Sequence, residues 1–160
     1  MAPLTIDVSS TQATSVAAQG RLDPDAMGGR VRYAQGYYTQ ASGSLATNGI
    51  IQMITALPAC RILPTSLISY SAWSTSPTVQ VGYQEYKPDD NGTTVASSIN
   101  AYVNGQSTAS AGSTTFAAAA VSGYEQGFKT TGQTDILAKV SAGNIPTNGW
   151  LALHLFYVVD

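Results

Sequence analysis

Residue types that carry most enzyme chemistry are scarce in this chain of 160 residues. The single histidine, His154, lies between two leucines in the most apolar segment of the sequence. Because no partner for proton transfer is near it, this setting favours a core or interface histidine over a general base. The single cysteine, Cys60, has no candidate base beside it either, which favours a buried structural role.

Acidic and metal-binding motifs are equally sparse. Glu85 and Glu125 are the two glutamates, and two exposed surface charges are a better interpretation of them than a glycosidase pair. The segment 89–92 (Asp-Asp-Asn-Gly) resembles the start of a calcium loop but lacks the closing glutamate. The sequence contains no Cys/His zinc cluster, nucleophile elbow or phosphate-binding loop. We therefore predict no catalytic, cofactor-binding or metal-binding residues, no cofactor, and a protein that is not an enzyme.

The composition indicates a neutral protein that assembles. Charged residues make up 10% of the chain, against about 25% in an average soluble domain. Ser, Thr, Asn, Gln and Gly together supply 66 of the 160 residues. With seven Lys and Arg and a net charge of −2, the chain lacks the basic face that nucleic-acid binding requires. It also has no apolar run of about 18 residues that could span a membrane. A net charge this close to zero favours association.

Alternation of apolar and polar residues with a period of two predicts β-strands along most of the chain. The first strand begins at Arg30, and the last, 150–159, is predicted to be a central strand buried on both faces. The segment 94–103 fits either a strand or a helix. Further strands are predicted at 50–57, 67–73, 78–84, 116–121 and 136–140.

Turn signals support the same fold class. Four Asn-Gly pairs, at 48–49, 91–92, 104–105 and 148–149, predict type I′ hairpin turns. Short strands separated by such turns predict an all-β fold. The expected architecture is a jelly-roll-like antiparallel β-sandwich with an extended N-terminal arm. Residues 43–51 also resemble residues 143–151, a similarity that suits a double Greek key but can arise by chance.

Residues 1–29 are predicted to form the extended N-terminal arm and residues 30–160 the β-sandwich domain. The arm has too few large apolar residues to form a core of its own. It either lies on a neighbouring subunit, as the alternation of its apolar residues suggests, or is a disordered terminus. The chain contains nine tyrosines, a residue type that is enriched in interfaces. They can equally lie at the edge of the hydrophobic core. The candidate residues for an interface with a second copy or with another protein are Leu4, Ile6, Val8, Arg30, Arg32, Tyr37 and Tyr38.

A series of short motifs carries a resemblance to a known family. The motifs are Gly28-Gly29-Arg30-Val31-Arg32, a strand ending in Leu57-Pro58, Arg61-Ile62-Leu63-Pro64-Thr65-Ser66, the Ser-rich strand to Trp73, Thr78-Val79-Gln80-Val81-Gly82, Asp135-Ile136-Leu137-Ala138-Lys139-Val140, the turn at Asn144-Ile145-Pro146 and the apolar last strand. In this order they resemble small virion structural proteins of tailed bacteriophages, of the head decoration or cement type. The resemblance covers about residues 28–160, without the segment 94–131. It implies a β-rich, often jelly-roll-like protein without enzymatic activity, which clamps capsid subunits as an oligomer.

Two functions from different classes follow. The first is a decoration or cement protein that binds the outer head surface and stabilises contacts between major capsid subunits. Its expected partners are the major capsid protein and itself, with a trimer favoured over a dimer because icosahedral shells offer many three-fold positions. We expect no nucleic acid or membrane partner, synthesis in the host cytoplasm, and localisation on the outer capsid surface of the virion. The alternative is a carbohydrate- or receptor-binding component of a phage tail or fibre.

Overall fold

The structure, a computed structural model, describes residues 31–73, 77–116 and 128–159, and these residues form ten strands and no helix. The all-β prediction is therefore confirmed, and segment 94–103 contributes to a strand. The proposed arm, with Leu4, Ile6 and Val8, lies outside the described residues, and so does Arg30. The strands are β1 (Val31–Thr39), β2 (Ile50–Leu57), β3 (Cys60–Ile62), β4 (Leu67–Tyr70), β5 (Thr78–Tyr83), β6 (Ser98–Ser107), β7 (Gly112–Thr115), β8 (Phe128–Thr130), β9 (Thr134–Ala142) and β10 (Trp150–Val158).

Two antiparallel sheets form the sandwich. In the six-stranded sheet, β10 pairs with β1 along one side and with β4 and then β3 along the other, and β7 and β8 flank these two. The four-stranded sheet has the order β2-β9-β5-β6. If β3/β4 and β7/β8 are each counted as one interrupted strand, the eight strands have the orders 1-8-3-6 and 2-7-4-5. This is the jelly-roll arrangement of two Greek keys, as predicted.

The interruption between β3 and β4 has a local cause. Pro64 lacks the N–H that a strand inside the sheet would need. The N–H of Leu63 still donates to the C=O of Phe156 at 2.8 Å, but the C=O of Leu63 accepts from the N–H of Ser66 in a turn. The hydroxyl of Ser66, which is fully buried, therefore replaces the Leu63 carbonyl as the acceptor for β10. The hydroxyl oxygen accepts a hydrogen bond from the N–H of Phe156 at 2.9 Å and donates to the C=O of Phe156 at 3.1 Å. The backbone groups of β10 are therefore satisfied although the neighbouring strand is broken.

The core lies between the inner faces of the two sheets. Tyr102 stacks on Phe116 with ring centroids 5.0 Å apart and contacts Phe128 edge-on at 5.0 Å. Burial raises the pKa of the Tyr102 hydroxyl well above its usual range. The leucines of β10 complete the core and are fully buried: Leu151, Leu153 and Leu155.

The prediction that the last strand is buried on both faces is wrong for most of its outer side. Trp150, His154 and Phe156 are half-buried, whereas Ala152, a small residue between its neighbours, is 6% exposed. The four-stranded sheet packs against the inner face of β10, where the leucines lie, and no further layer of described strands covers its outer face. A strand in the middle of one sheet of a sandwich has a partner layer on one face only.

The Asn-Gly pairs at 48–49 and 148–149 do not form type I′ hairpins. Asn48 and Asn148 have positive φ values of 70° and 63°, but the glycines that follow them do not. The N–H of Gly49 donates to Ala46 and the N–H of Gly149 to Pro146, which is the pattern of a type II turn. Each turn joins strands of different sheets, so a hairpin is excluded by topology. The other two pairs lie within β6 and in the loop after β5.

The similarity between residues 43–51 and 143–151 has a structural basis. Leu45 and Ile145 exchange backbone hydrogen bonds of 3.1 and 3.0 Å. The hydroxyl of Thr47 donates to the C=O of Gly143 at 2.6 Å, and the hydroxyl of Thr147 donates to the C=O of Gly43, also at 2.6 Å. We call the two segments, residues 43–49 and 143–149, the clasp. A local two-fold axis relates its halves, and the clasp joins the β1–β2 connection to the β9–β10 connection.

The two halves of the clasp should contribute nearly equally to stability. Thr47→Val and Thr147→Val each remove one hydroxyl hydrogen bond at constant volume, so each should lower the free energy of unfolding by about 1 kcal/mol. Urea unfolding followed by circular dichroism measures this, with Thr115→Val on β7 as the control for an exposed strand threonine. A loss in only one of the two variants would contradict the two-fold relation.

Gly82 allows β5 and β6 to approach each other closely. A Cβ atom at this position would overlap the carbonyl oxygen of Ser98 and the backbone of Ile99, which cannot move away without disrupting the sheet. Gly82→Ala should therefore lower the free energy of unfolding by about 1–3 kcal/mol. At Gly112 the nearest atom, the Tyr70 hydroxyl oxygen, is 3.6 Å away. Gly112→Ala is thus the matched control and should unfold at the same urea concentration as the parent chain.

Candidate functional site

The outer side of β1 and β10 presents an exposed, largely aromatic surface. In the β1–β10 register, Tyr33 lies opposite Phe156 and Tyr37 opposite Ala152. Tyr37 is 65% exposed, Val31 59% and Tyr33 51%, so large apolar groups face outward where a sandwich usually carries polar ones. We call this surface the aromatic face; its residues are Val31, Tyr33, Gln35, Tyr37, Trp150, His154 and Phe156.

The rings of the aromatic face support one another. The Tyr33 hydroxyl and His154 Nδ1 are joined by a hydrogen bond of 2.7 Å. The Tyr33 ring is also 5.3 Å from the ring of Phe156, and the Tyr37 ring is stacked at 6.3 Å on Trp150. Side chains held in this way lose little conformational freedom when a partner covers them. The arrangement is therefore suited to binding a partner.

Charge is distributed unevenly between the two sheets. The six strands of the sheet that carries the aromatic face contain Arg32, Arg61 and Lys129 but no acidic residue. The outer side of the four-stranded sheet is polar instead, with Gln80 bonded to Asn104 at 3.2 Å. A partner that covers the aromatic face buries no carboxylate of these strands, which removes one large desolvation cost of docking.

The sequence-predicted interface residues lie in different places. Tyr37 is on the aromatic face. Tyr38 points to the other side of β1, where its ring packs against the core and its hydroxyl donates to Gln40 Oε1. Arg32 is exposed and lies opposite Tyr157 in the register. Leu4, Ile6, Val8 and Arg30 fall outside the described residues. The interface role of all seven residues stays a prediction.

Sequence analysis missed the β10 half of the aromatic face. The period-two pattern already placed Tyr33 and Tyr37 on one side of the first strand, but it did not indicate which side faces outward. Trp150, His154 and Phe156 were assigned to a buried face. The sequence did contain a hint. An antiparallel sheet commonly exposes one face to solvent, and the polar His154 within this apolar strand is compatible with such an exposed face.

Side chains that could act in catalysis or bind a metal are dispersed in the described parts of the chain. Cys60 is buried, and its N–H donates to Thr130 Oγ1 at 3.1 Å. Within residues 31–73, 77–116 and 128–159, no three His, Cys, Asp or Glu side chains come together as metal ligands. A shallow cleft of about 250 Å³ contains Asp89, Asp90 and Lys129, while Glu125 lies outside the described residues. The described ranges contain no helix that is long and apolar enough to cross a membrane.

Comparison with known proteins relates the fold to phage capsids. No protein-family model matches the chain, and no curated protein sequence matches it. Among solved structures, the fold is similar to a chain in the capsid of Ralstonia phage GP4, with a TM-score of 0.59 and 18% identity over 82% of this chain and 86% of that chain. It is also similar to a chain in the capsid asymmetric unit of cyanophage Pam1, with a TM-score of 0.54 and 17% identity over 97% of this chain and 100% of that chain. The chain thus has a fold that occurs in phage capsids.

Neighbouring tyrosines test whether the aromatic face serves stability or binding. Tyr37→Ala removes a ring that is mostly in solvent, so the free energy of unfolding should change by no more than about 0.5 kcal/mol. Tyr38→Ala removes a ring packed against the core and should cost about 2 kcal/mol or more. Thermal and urea unfolding of the two variants provide the measurement. Equal losses would mean that the aromatic face is part of the folding core.

Proposed function

We propose that the chain is a non-enzymatic decoration or cement protein of a phage head. The observation that carries the proposal is the fold similarity to a Pam1 capsid chain over the whole length of that chain. That chain is about as short as this one, so the similarity covers nearly the whole of both chains. The motif resemblance of residues 28–160 to head decoration proteins supports the same function independently.

The proposed partner is the major capsid protein, on the outer surface of the virion. The aromatic face supplies the contact, because it combines exposed rings with the absence of acidic residues in its six strands. A shell offers many copies of each site, so modest contacts are multiplied through high effective concentration. Binding across the boundary between two capsid subunits would hold both in place without any chemical step.

Self-association completes the proposal. Residues 1–29 are proposed to reach from one subunit to a neighbour or to the shell, because they lack the apolar residues for a core of their own. The three-fold assembly expected from the sequence has only the symmetry of icosahedral shells to support it. The regular, nine-residue edge of β1 supports two-fold pairing instead.

A second candidate function is glycan binding by the same aromatic face. Its support is Gln35, whose exposed carboxamide lies between the exposed rings of Tyr33 and Tyr37 on one strand. Aromatic rings stack on the apolar side of sugars, and amides bond their hydroxyls. Binding to a glycan array by the full chain, lost in Tyr37→Ala, would favour this function over decoration.

Adding the protein to heads assembled from the major capsid protein alone tests decoration directly. The chain should co-sediment with heads and raise their melting temperature, because it links neighbouring subunits. Tyr33→Ser/Tyr37→Ser should reduce co-sedimentation, whereas Gln80→Ser on the opposite sheet should bind like the parent chain. If the parent chain neither binds the heads nor alters their melting, the proposed function is wrong.

A further inference from the structure

We propose that two copies of the chain pair through the outer edges of their β1 strands, antiparallel, about a two-fold axis that passes beside Gln35. The pairing would join two six-stranded sheets into one continuous sheet and two aromatic faces into one surface. It deepens the self-association part of the proposed function, since it names the surface and the symmetry of that contact.

The edge of β1 is long and regular. The strand pairs with β10 over nine residues without a register shift, and it contains no proline. Among the described residues, β10 is its only strand partner in the sheet, so its other edge carries main-chain groups that need partners. Natural proteins blunt or cover edges of this kind. Beyond Arg32, β1 has no charged residue to do so.

The other sheet edges are less suitable. β2 has two register shifts, and Ala56 within it has a positive φ of 54° and donates its N–H to Asp135 Oδ1 at 2.8 Å. β6 also has register shifts against β5, with Gly105 at a φ of 71°. β7 and β8 are four and three residues long. Bulges and short strands prevent strand pairing, so β1 is the edge best suited to pair with a second copy.

The direction of the main-chain groups of β1 follows from its last contact with β10. Gln40 donates its N–H to Gly149 at 2.9 Å and accepts from the N–H of Asn148 at 2.7 Å, so its main chain faces β10. Because these groups alternate along an antiparallel strand, even-numbered residues of β1 face β10. The residues whose N–H and C=O point to the free edge are Val31, Tyr33, Gln35, Tyr37 and Thr39.

Full overlap of the two β1 strands produces a complementary set of pairs. Val31 lies opposite Thr39 of the second copy, Tyr33 opposite Tyr37, and Gln35 opposite its own counterpart. Each of these pairs exchanges both main-chain hydrogen bonds, because these are the outward-pointing residues. Aromatic cross-strand pairs are among the most stabilising in sheets. The Tyr33–Tyr37 contacts would connect the Tyr37–Trp150 stack of one copy with the Tyr33–Phe156 contact of the other.

Charges are compatible with this register. Arg32 lies opposite Tyr38 of the second copy, so no charged residue directly faces it in this register. The two Arg32 residues are six positions apart along the paired strands, or about 20 Å at a rise of roughly 3.4 Å per residue. This exceeds the Debye length of about 8 Å at physiological salt, so their repulsion is screened.

The chain outside the described residues fits the same arrangement. Residues 1–30 end directly at Val31, the first residue of β1. In an antiparallel pair, Val31 lies beside Thr39 of the second copy, so the preceding residues of each copy start next to its partner. A segment of this length can cross a neighbouring subunit, since an extended residue spans about 3.3 Å.

Charge exchange at Gln35 tests the proposed register with the full-length chain. Gln35→Lys places like charges directly opposite each other at the two-fold axis, and so does Gln35→Glu. Each should raise the dimer dissociation constant by about five- to tenfold. An equimolar mixture of the two variants should return to the parent value, because opposite charges then face each other. Gln106→Lys on β6 is the matched control and should dimerise like the parent chain.

Sedimentation velocity with one variant fluorescently labelled measures all of these constants. A parent chain that stays monomeric, an oligomer unaffected by the Gln35 variants, or a mixture no tighter than its components would overturn the inference. Equal weakening by Gln106→Lys would also overturn it. Co-sedimentation with heads is measured on the same samples. Head binding without pairing removes only this inference, whereas pairing without head binding removes only the proposed function.

Discussion

The position of β10 in the middle of the six-stranded sheet determines most of the structure. It pairs with β1 over nine residues on one side and with β4 and β3 on the other. Because side chains alternate along a strand, the same nine residues supply both the leucines of the core and the outer rings. Where the neighbouring strand is interrupted between β3 and β4, the Ser66 hydroxyl bonds the N–H and C=O of Phe156. A change in the register of β10 by one residue would exchange the core for the aromatic face.

The aromatic face and the edge of β1 follow from that central strand. β1 is held along β10 without a bulge, and its regularity leaves an edge that is straight and uncovered among the described residues. Its outward side chains meet those of β10 in a set of ring contacts and one hydrogen bond. An ordered apolar surface next to a free strand edge suits contacts both to a flat shell and to a second copy. The other sheet carries polar side chains such as Gln80 and Asn104 on its outer side, and both of its edge strands, β2 and β6, have register shifts.

The clasp explains how a jelly roll with so few charges keeps its ends together. The connections β1–β2 and β9–β10 cross between the sheets, and each would be a loose loop by itself. Their reciprocal hydrogen bonds through Thr47 and Thr147 join them into one unit with a local two-fold axis. The hydrogen bonds of the clasp thereby restrain β1, β2, β9 and β10 at one end of the sandwich. Two of these strands, β1 and β10, carry the aromatic face.

The fold class, most strand positions and the scarcity of residues with catalytic or metal-binding chemistry could be predicted from the sequence. These depend on local features, namely a period of two, turn residues and composition, which are visible in a single chain. The repeat at 43–51 and 143–151 was also visible, but its meaning was not, because residues a hundred positions apart had to be brought into contact. Likewise, Asn-Gly pairs indicate positive φ but not whether the flanking strands share a sheet.

Which side of each strand faces outward was decided by the tertiary structure alone. Trp150 and Phe156 are as apolar as the leucines between them, so hydropathy could not separate the two faces of β10. The separation arises because the four-stranded sheet covers one side of β10, and burial depends on that packing and not on residue type. For the same reason Tyr37 and Tyr38, adjacent and identical in the sequence, lie on the exposed aromatic face and against the core, respectively.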